Sequence, residues 1–332
     1  MLNRQIISKF FAFAVGLFCV YTAYEYNESS NKIINGNIFG TTWSVTSNEY
    51  IADFHKNKII GILNSIDYLA SNYKQDSEVA ILNTKPLNEE ISISKELSKL
   101  INIATNINKN TNGLYDITLG KVSASRGFSP DFNNQIVIKN TDLIKKYEIN
   151  DNNKIIKYED FWFDLSSIAK GYAVDEVHKY LVENGFNNFL IDIGGEIIIN
   201  GQNKNKPWLV GIQDPNSIDN KFITTISNKN IPYMAIATSG EYRNFNFIEG
   251  SIVTHTINPS TNKSIEVDHE SVTIISLNSA TNADAYATAL NVMGYIEGLK
   301  YADDNGIAVM FIVPNNNKLE LIKSKKWYDL KV

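Results

Sequence analysis

Four segments of this chain hold residues whose types and spacing could act on a charged substrate. In Asp164-Leu-Ser-Ser-Ile-Ala-Lys170-Gly171 a carboxylate ends an apolar stretch, Ser166 and Ser167 stand at the expected start of a helix, and Lys170 lies one turn in. Free backbone N–H groups and the helix dipole at such a start favour an anion. A plain helix cap with a solvated lysine accounts for the same residues. In Asp192-Ile-Gly-Gly-Glu196, paired glycines permit either close approach to a ligand or an ordinary hairpin turn.

The third segment, Thr238-Ser-Gly-Glu-Tyr-Arg243-Asn-Phe245, is followed by His255-Thr-Ile-Asn-Pro259. Arg243 could pair with phosphate, and His255 could exchange a proton at neutral pH; a lone histidine is more often structural. In the fourth, Asn282-Ala-Asp284-Ala-Tyr-Ala-Thr288, a carboxylate and a hydroxyl four residues apart share one helix face. They could offer hard oxygen ligands to Mg²⁺. Asp284 is equally well suited to a first helical turn, with Thr288 facing inward. Taken together, the four segments suit transfer at a metal-bound diphosphate, where neutralising charge is most of the catalytic task. The chain has neither GxxxxGK[ST] nor GxGxxG, so a P-loop and a Rossmann site are excluded as the source of phosphate binding.

The elements that must position these residues follow from periodicity. Asn37–Ser47 reads as the first strand. Ile59, Ile62, Leu63, Ile66 and Leu69 have helical spacing, with an end near Tyr73. Leu97–Asn110 is a second helix, stopped by Asn112-Gly113. Phe161–Asp164 is expected as a short strand feeding the helix with Ala169, Ala173, Val177, Tyr180 and Leu181 on one face, closed by Asn184-Gly185. Phe189–Ile193 and Glu196–Asn200 flank the Gly194-Gly195 turn; Trp208–Gln213, Tyr233–Ala237, Ser271–Leu277 and Ile307–Val313 are further strands. A helix over Asn282–Met293 is expected to close at Gly294. Hairpin spacing mixed with helices predicts an α+β fold, a single domain over 31–332 of mixed, largely antiparallel sheets with packed helices.

Composition narrows the class further. The 332 residues are 43% hydrophobic and 20% charged with a net charge of -5, which gives no support for nucleic-acid binding, a function that needs a basic face. Arg4 and Lys9 precede an apolar run from Phe10 to Ala23, the pattern of an export signal. We expect a short cytoplasmic segment over 1–9, a signal anchor or signal peptide over 10–26, and the remainder on the extracytoplasmic, periplasmic face of the inner membrane. Cys19, the only cysteine, stands where a lipoprotein cysteine could, but bulky Phe18 precedes it, so an anchor is the preferred reading. A single cysteine leaves no intramolecular disulfide.

The order of motifs resembles the FAD:protein FMN transferase family, also called the ApbE family. The matches are Gly40-Thr-Thr-Trp-Ser-Val45; Asp67 through Tyr73, then Ser77-Glu78 and Leu82-Asn83; Thr111-Asn-Gly-Leu-Tyr-Asp116-Ile-Thr-Leu-Gly120; Asp164 through Asp175; Asp192–Glu196; Thr238–Phe245; His255–Pro259; and Ala283–Leu290. The resemblance implies an ApbE-like fold and an extracytoplasmic enzyme that splits FAD and esterifies FMN onto a Thr or Ser hydroxyl of a target protein, releasing AMP. It implies as targets subunits of sodium-pumping (Nqr) or Rnf-type redox complexes. Carried over by motif, FAD contacts Phe39, Gly40, Tyr73, Leu114, Tyr115, Asp116, Asp164, Lys170 and Ile257. Mg²⁺ is held by Asp284, Thr288 and the Ser167 carbonyl, while His255 assists proton transfer, with Arg243 and Asp284 beside it in the catalytic set. Phe39 stands where the family usually has Met, and Asn258 where it usually has Asp before Pro259. FAD hydrolysis with water as acceptor, and flavin binding without turnover, are the competing readings.

Overall fold

The computed structural model describes residues 4–29, 32–131, 146–217, 219, 221–229, 231–240, 245–248, 251–266, 268–316 and 318–332. Its frame is an eight-stranded sheet: β1 (Lys32–Ile38), β2 (Thr41–Ser47), β3 (Phe189–Ile193), β4 (Glu196–Asn200), β5 (Tyr233–Gly240), β6 (Ser271–Ser276), β7 (Ala308–Asn315) and β8 (Lys318–Lys323). Each strand pairs antiparallel with the next, so spatial order repeats chain order. The longer helices are α1 (Arg4–Ser29), α2 (Asp53–Ala70), α3 (Lys95–Asn110), α4 (Ala169–Glu183) and α5 (Ala280–Asn305), followed by the short α6 (Lys325–Leu330).

Both faces of the sheet are covered, and residue alternation shows it. Ile198, Ala235, Ala237, Val272, Ile274, Val309 and Phe311 share one core with α2, α3, α4 and α5. Their neighbours Ile197, Ile199, Met234, Ile236, Ile275, Met310 and Ile312 share the other with Trp208, Val210, Ile212, Ile226 and Trp327. Successive strand side chains point to opposite faces. Strands covered on both faces therefore read as near-continuous apolar runs, as β5 to β7 do. The second cover is a two-stranded ribbon, Leu209–Gln213 with Phe222–Ser227, together with α6.

Several expectations need correction. Asn37–Ser47 is not one strand, because β1 folds back into β2 at Phe39-Gly40, whose φ values are 52° and 72°. Two consecutive positive φ angles are the turn that suits a tight antiparallel hairpin. Phe161–Asp164 joins no ladder; only Trp162 bridges Leu119, and the segment is tied instead by Gly120 N to Trp162 O and Asp164 N to Ile117 O. Ser166 and Ser167 lie in a turn before α4, which begins at Ala169. Gly294 kinks α5 at φ 76° rather than closing it, and the helix resumes to Asn305. Apart from these corrections, residues 4–29 form a helix with Phe10, Phe11, Phe13 and Phe18 exposed, and among the described residues no helix is long and apolar enough to cross a membrane.

Candidate active site

The floor of the site lies where α4 meets α5. Gly171 makes that contact possible, since a Cβ there would sit 2.4 Å from the Ala280 carbonyl oxygen and 2.8 Å from Asp284 Cβ. The Gly171 N–H donates to Asp284 Oδ2 at 2.9 Å. Asp175, one turn further along α4, accepts from Ser279 Oγ, Ala280 N, Thr281 N and Thr281 Oγ1. A carboxylate at a helix N-terminus satisfies free donors and the dipole together. These bonds fix the start of α5, and with it Asp284 and Thr288, against Lys170.

Lys170 Nζ pairs with Glu196 Oε1 at 2.5 Å and lies 3.8 Å from Asp284 Oδ1. Glu196 opens β4 just after Gly194 and Gly195, both at positive φ. Both carboxylates are about 3% exposed. Burial pushes the Glu196 carboxyl up to about 8 against the pull of Lys170. Burial likewise raises Asp284, with Lys170 opposing. For Lys170 burial favours the neutral amine, but Asp284 and Glu196 outweigh it and hold the ammonium above its usual range.

This floor fits a hard divalent cation. Two buried carboxylates face one ammonium, and Glu196 Oε2 has no hydrogen-bond partner among the described residues. No group of three or more His, Cys, Asp or Glu suited to a metal occurs among the described residues. A cation here would draw on Asp284, the Thr288 hydroxyl, a backbone carbonyl at Ser167 and substrate oxygens, a mixture that suits Mg²⁺.

The rest of the site is a cleft of about 1040 Å³ opening above this floor. Phe39, Gly40, Tyr73, Leu114, Tyr115, Asp116, Asp164, Ser167, Lys170, His255, Ile257, Asp284 and Thr288 all line it. Arg243 lies outside the described residues. Not every lining side chain is free to meet a ligand. The Asp116 carboxylate accepts from Thr118 N, Thr118 Oγ1 and Lys146 Nζ, so it shapes the loop. Tyr115 is buried with its hydroxyl at 3.1 Å from Ser167 Oγ, and burial holds the phenol well above its usual range. Its part is to fix the Ser166–Ser167 turn. Asp164 Oδ1 accepts from Ser166 N in the same turn. His255 stands beside the Phe128 ring, edge to face at 6.3 Å, and the Tyr73 hydroxyl donates to the Phe128 carbonyl.

Sequence reasoning missed Glu196 as a site residue, although its motif was singled out. Its signal was a charged residue opening an otherwise apolar strand, Glu-Ile-Ile-Ile. It also missed Asp175 and the ribbon wall, Val210–Gln213 with Phe222.

Comparison with known proteins agrees in extent and in fold. The ApbE family model matches residues 39–311. A FAD:protein FMN transferase of Vibrio cholerae is 32% identical over 297 residues, covering 86% of this chain and 88% of its own. One from Buchnera aphidicola subsp. Schizaphis graminum is 30% identical over 335 residues, covering 96% and 95%. Among solved structures, the flavin transferase ApbE from Vibrio cholerae superposes with a TM-score of 0.77 at 29% identity, covering 90% of this chain and 99% of that one. The apo flavinyl transferase ApbE of Pseudomonas stutzeri gives 0.78 at 26% identity, with 91% and 96% covered.

Proposed function

The chain belongs to the ApbE family, and from that premise we propose that it is a Mg²⁺-dependent FAD:protein FMN transferase. It moves FMN from FAD onto a Thr or Ser hydroxyl of a target protein and releases AMP. The observation that carries this reading is the convergence of Lys170 with the buried carboxyls of Glu196 and Asp284 at the base of a cleft also lined by His255. At about 1040 Å³ the cleft stands at the upper end of the roughly 300–1,000 Å³ usual for small-molecule sites. It has room for a dinucleotide and for the tip of a protein segment.

Asp284, Thr288 and the Ser167 carbonyl would hold Mg²⁺, which would supply charge neutralisation at the diphosphate. Lys170 offers its ammonium to a phosphate oxygen, and Glu196 and Asp284 keep that ammonium charged. His255 accepts the proton of the acceptor hydroxyl as its oxygen bonds to the FMN phosphorus. The bond from that phosphorus to the oxygen shared with AMP breaks, and AMP leaves with the electron pair. Proton transfer and orientation of this kind are each worth several powers of ten. The acceptor fits a subunit of an Nqr- or Rnf-type membrane redox complex. The domain works on the extracytoplasmic face, held by the segment over 10–26, an arrangement supported by the basic flank and by the exposed phenylalanines of α1.

The test is to incubate the protein with FAD, Mg²⁺ and a candidate acceptor subunit, then weigh the acceptor. An FMN adduct with equivalent AMP release is the expected result, abolished by a chelator. AMP without adduct would assign hydrolysis instead, and retained FAD with neither product would sink both enzymatic readings. In His255→Ala we expect transfer to fall about 10²–10⁴-fold with FAD affinity kept; unchanged transfer removes His255 from the mechanism.

A further inference from the structure

Behind the catalytic wall lies a chain of polar side chains, buried at Thr256, Asn291 and His269 and ending on the exposed Asp268, that the mechanism above does not use. Asn291 stands on α5, three residues after Thr288 and seven after Asp284, on the same helix face. It is 1% exposed, and its Nδ2 donates to Thr256 Oγ1 at 3.0 Å. Thr256 sits between His255 and Ile257, and all three line the cleft. On its other side Asn291 Oδ1 meets His269 Nε2 at 2.7 Å. His269 is 2% exposed, its ring edge to face with Phe311 at 5.3 Å and its Nδ1 at 2.7 Å from Asp268 Oδ1.

Asp268 in turn occupies the kink of α5. The Tyr295 N–H donates to both carboxylate oxygens, at 3.1 and 3.3 Å, and so restarts the helix after Gly294. A Cβ on Gly294 would lie 2.9 Å from Asp268 Oδ2, and its φ of 76° suits only glycine well. The kink, the carboxylate, the imidazole, the amide and the Thr256 hydroxyl thus form one series.

Buried polar groups are costly unless each is bonded, and bonded in series each fixes the next. This series runs from the helix that carries Asp284 and Thr288 to the loop that carries His255. We infer that Asp268, His269 and Asn291 are positioning residues that hold Thr256, and so the His255 backbone, in register with the metal-side helix. None of the three touches the cleft, so they act through Thr256. The inference rests on the proposed transfer reaction, in which the hydroxyl that His255 deprotonates must meet a phosphorus held from α5.

The experiment uses the full chain with FAD, Mg²⁺ and an acceptor subunit. It compares wild type, His269→Gln, Thr256→Val and the double variant for single-turnover AMP release, FMN adduct, FAD affinity by flavin fluorescence, and Tm. We expect each single variant to lose about tenfold or more in rate with FAD affinity within about twofold. The double variant is expected to lose little beyond the worse single one, because both break the same series. Thr256→Val removes one hydroxyl at nearly constant volume, so it reports even if His269→Gln does not fold. Folded variants with wild-type rates, or single losses that multiply in the double variant, overturn the inference. AMP release without adduct in wild type would instead correct the acceptor, and the same rates would still judge the series.

Discussion

Two lysines in this protein, one half-buried and one fully buried, are held in opposite ways. Lys170, at the cleft floor, is flanked by Glu196 and Asp284, and its ammonium is kept charged despite partial burial. Lys157, 1% exposed in the small sheet formed by Ile91–Ser92, Lys154–Lys157 and Tyr147–Ile149, donates to the Asn83 carbonyl oxygen at 3.1 Å and lies against the Phe161 ring. There burial lowers the amine to about 8, only partly opposed by Asp160 and reinforced by Lys121. Burial without carboxylate partners brings the loss of a lysine's charge closer to neutral pH. A charge that must meet phosphate needs its own buried carboxylates, and these in turn call for a second cation.

The comparison can be broken from either side. The largest effect is expected from Asp284→Ala, which removes the charged ligand on α5 and one of the two carboxylates facing Lys170. Metal-dependent transfer should fall by about 10³-fold. Wild-type turnover at low Mg²⁺ in that variant would refute the assignment. Lys170→Met leaves Glu196 and Asp284 buried together without a cation, a loss of roughly 3–5 kcal/mol of stability. Urea unfolding measures it, and a midpoint equal to wild type would show that the pair is not coupled through Lys170.

Glu196→Gln sharpens the comparison through pH. Glu196 holds its proton more tightly folded than unfolded, so wild type loses stability as pH rises from 4.5 to about 8. The Tm difference between variant and wild type should therefore grow in favour of the variant across that window; a constant difference contradicts the placement of Glu196. The smallest effect is expected from Lys157→Met, where the lost bond to Asn83 and the removed buried charge offset to within about 1–2 kcal/mol near neutral pH. Folded Lys157 binds its proton less tightly than unfolded, so wild type gains stability relative to this variant as pH rises from about 8 to 10.5. Transfer should be unaffected, since Lys157 lies outside the cleft.

Much of the frame is legible in the sequence. Phe189–Ile193 and Glu196–Asn200 fall at the boundaries read from apolar runs on either side of Gly194-Gly195, because a tight hairpin is specified locally. Helices α2, α3 and α4 follow their apolar spacing for the same reason. Phe161–Asp164 was misread because its aromatic run is buried by packing against Gly120 and Tyr147 rather than by ladder pairing. Gly294 was misread as a terminus because the carboxylate that restarts the helix comes from Asp268, twenty-six positions earlier.

By itself, then, the sequence determined the elements, the order of the motifs and the kind of chemistry their residue types allow, since propensity, turn geometry and functional groups are local properties. Only the tertiary structure decided that Lys170 and Asp284, more than a hundred residues apart, share a floor with Glu196, and that Asp116 and Tyr115 are spent on shaping loops. Charge state, burial and reach depend on what the fold brings within a few ångströms, and no local pattern encodes that distance.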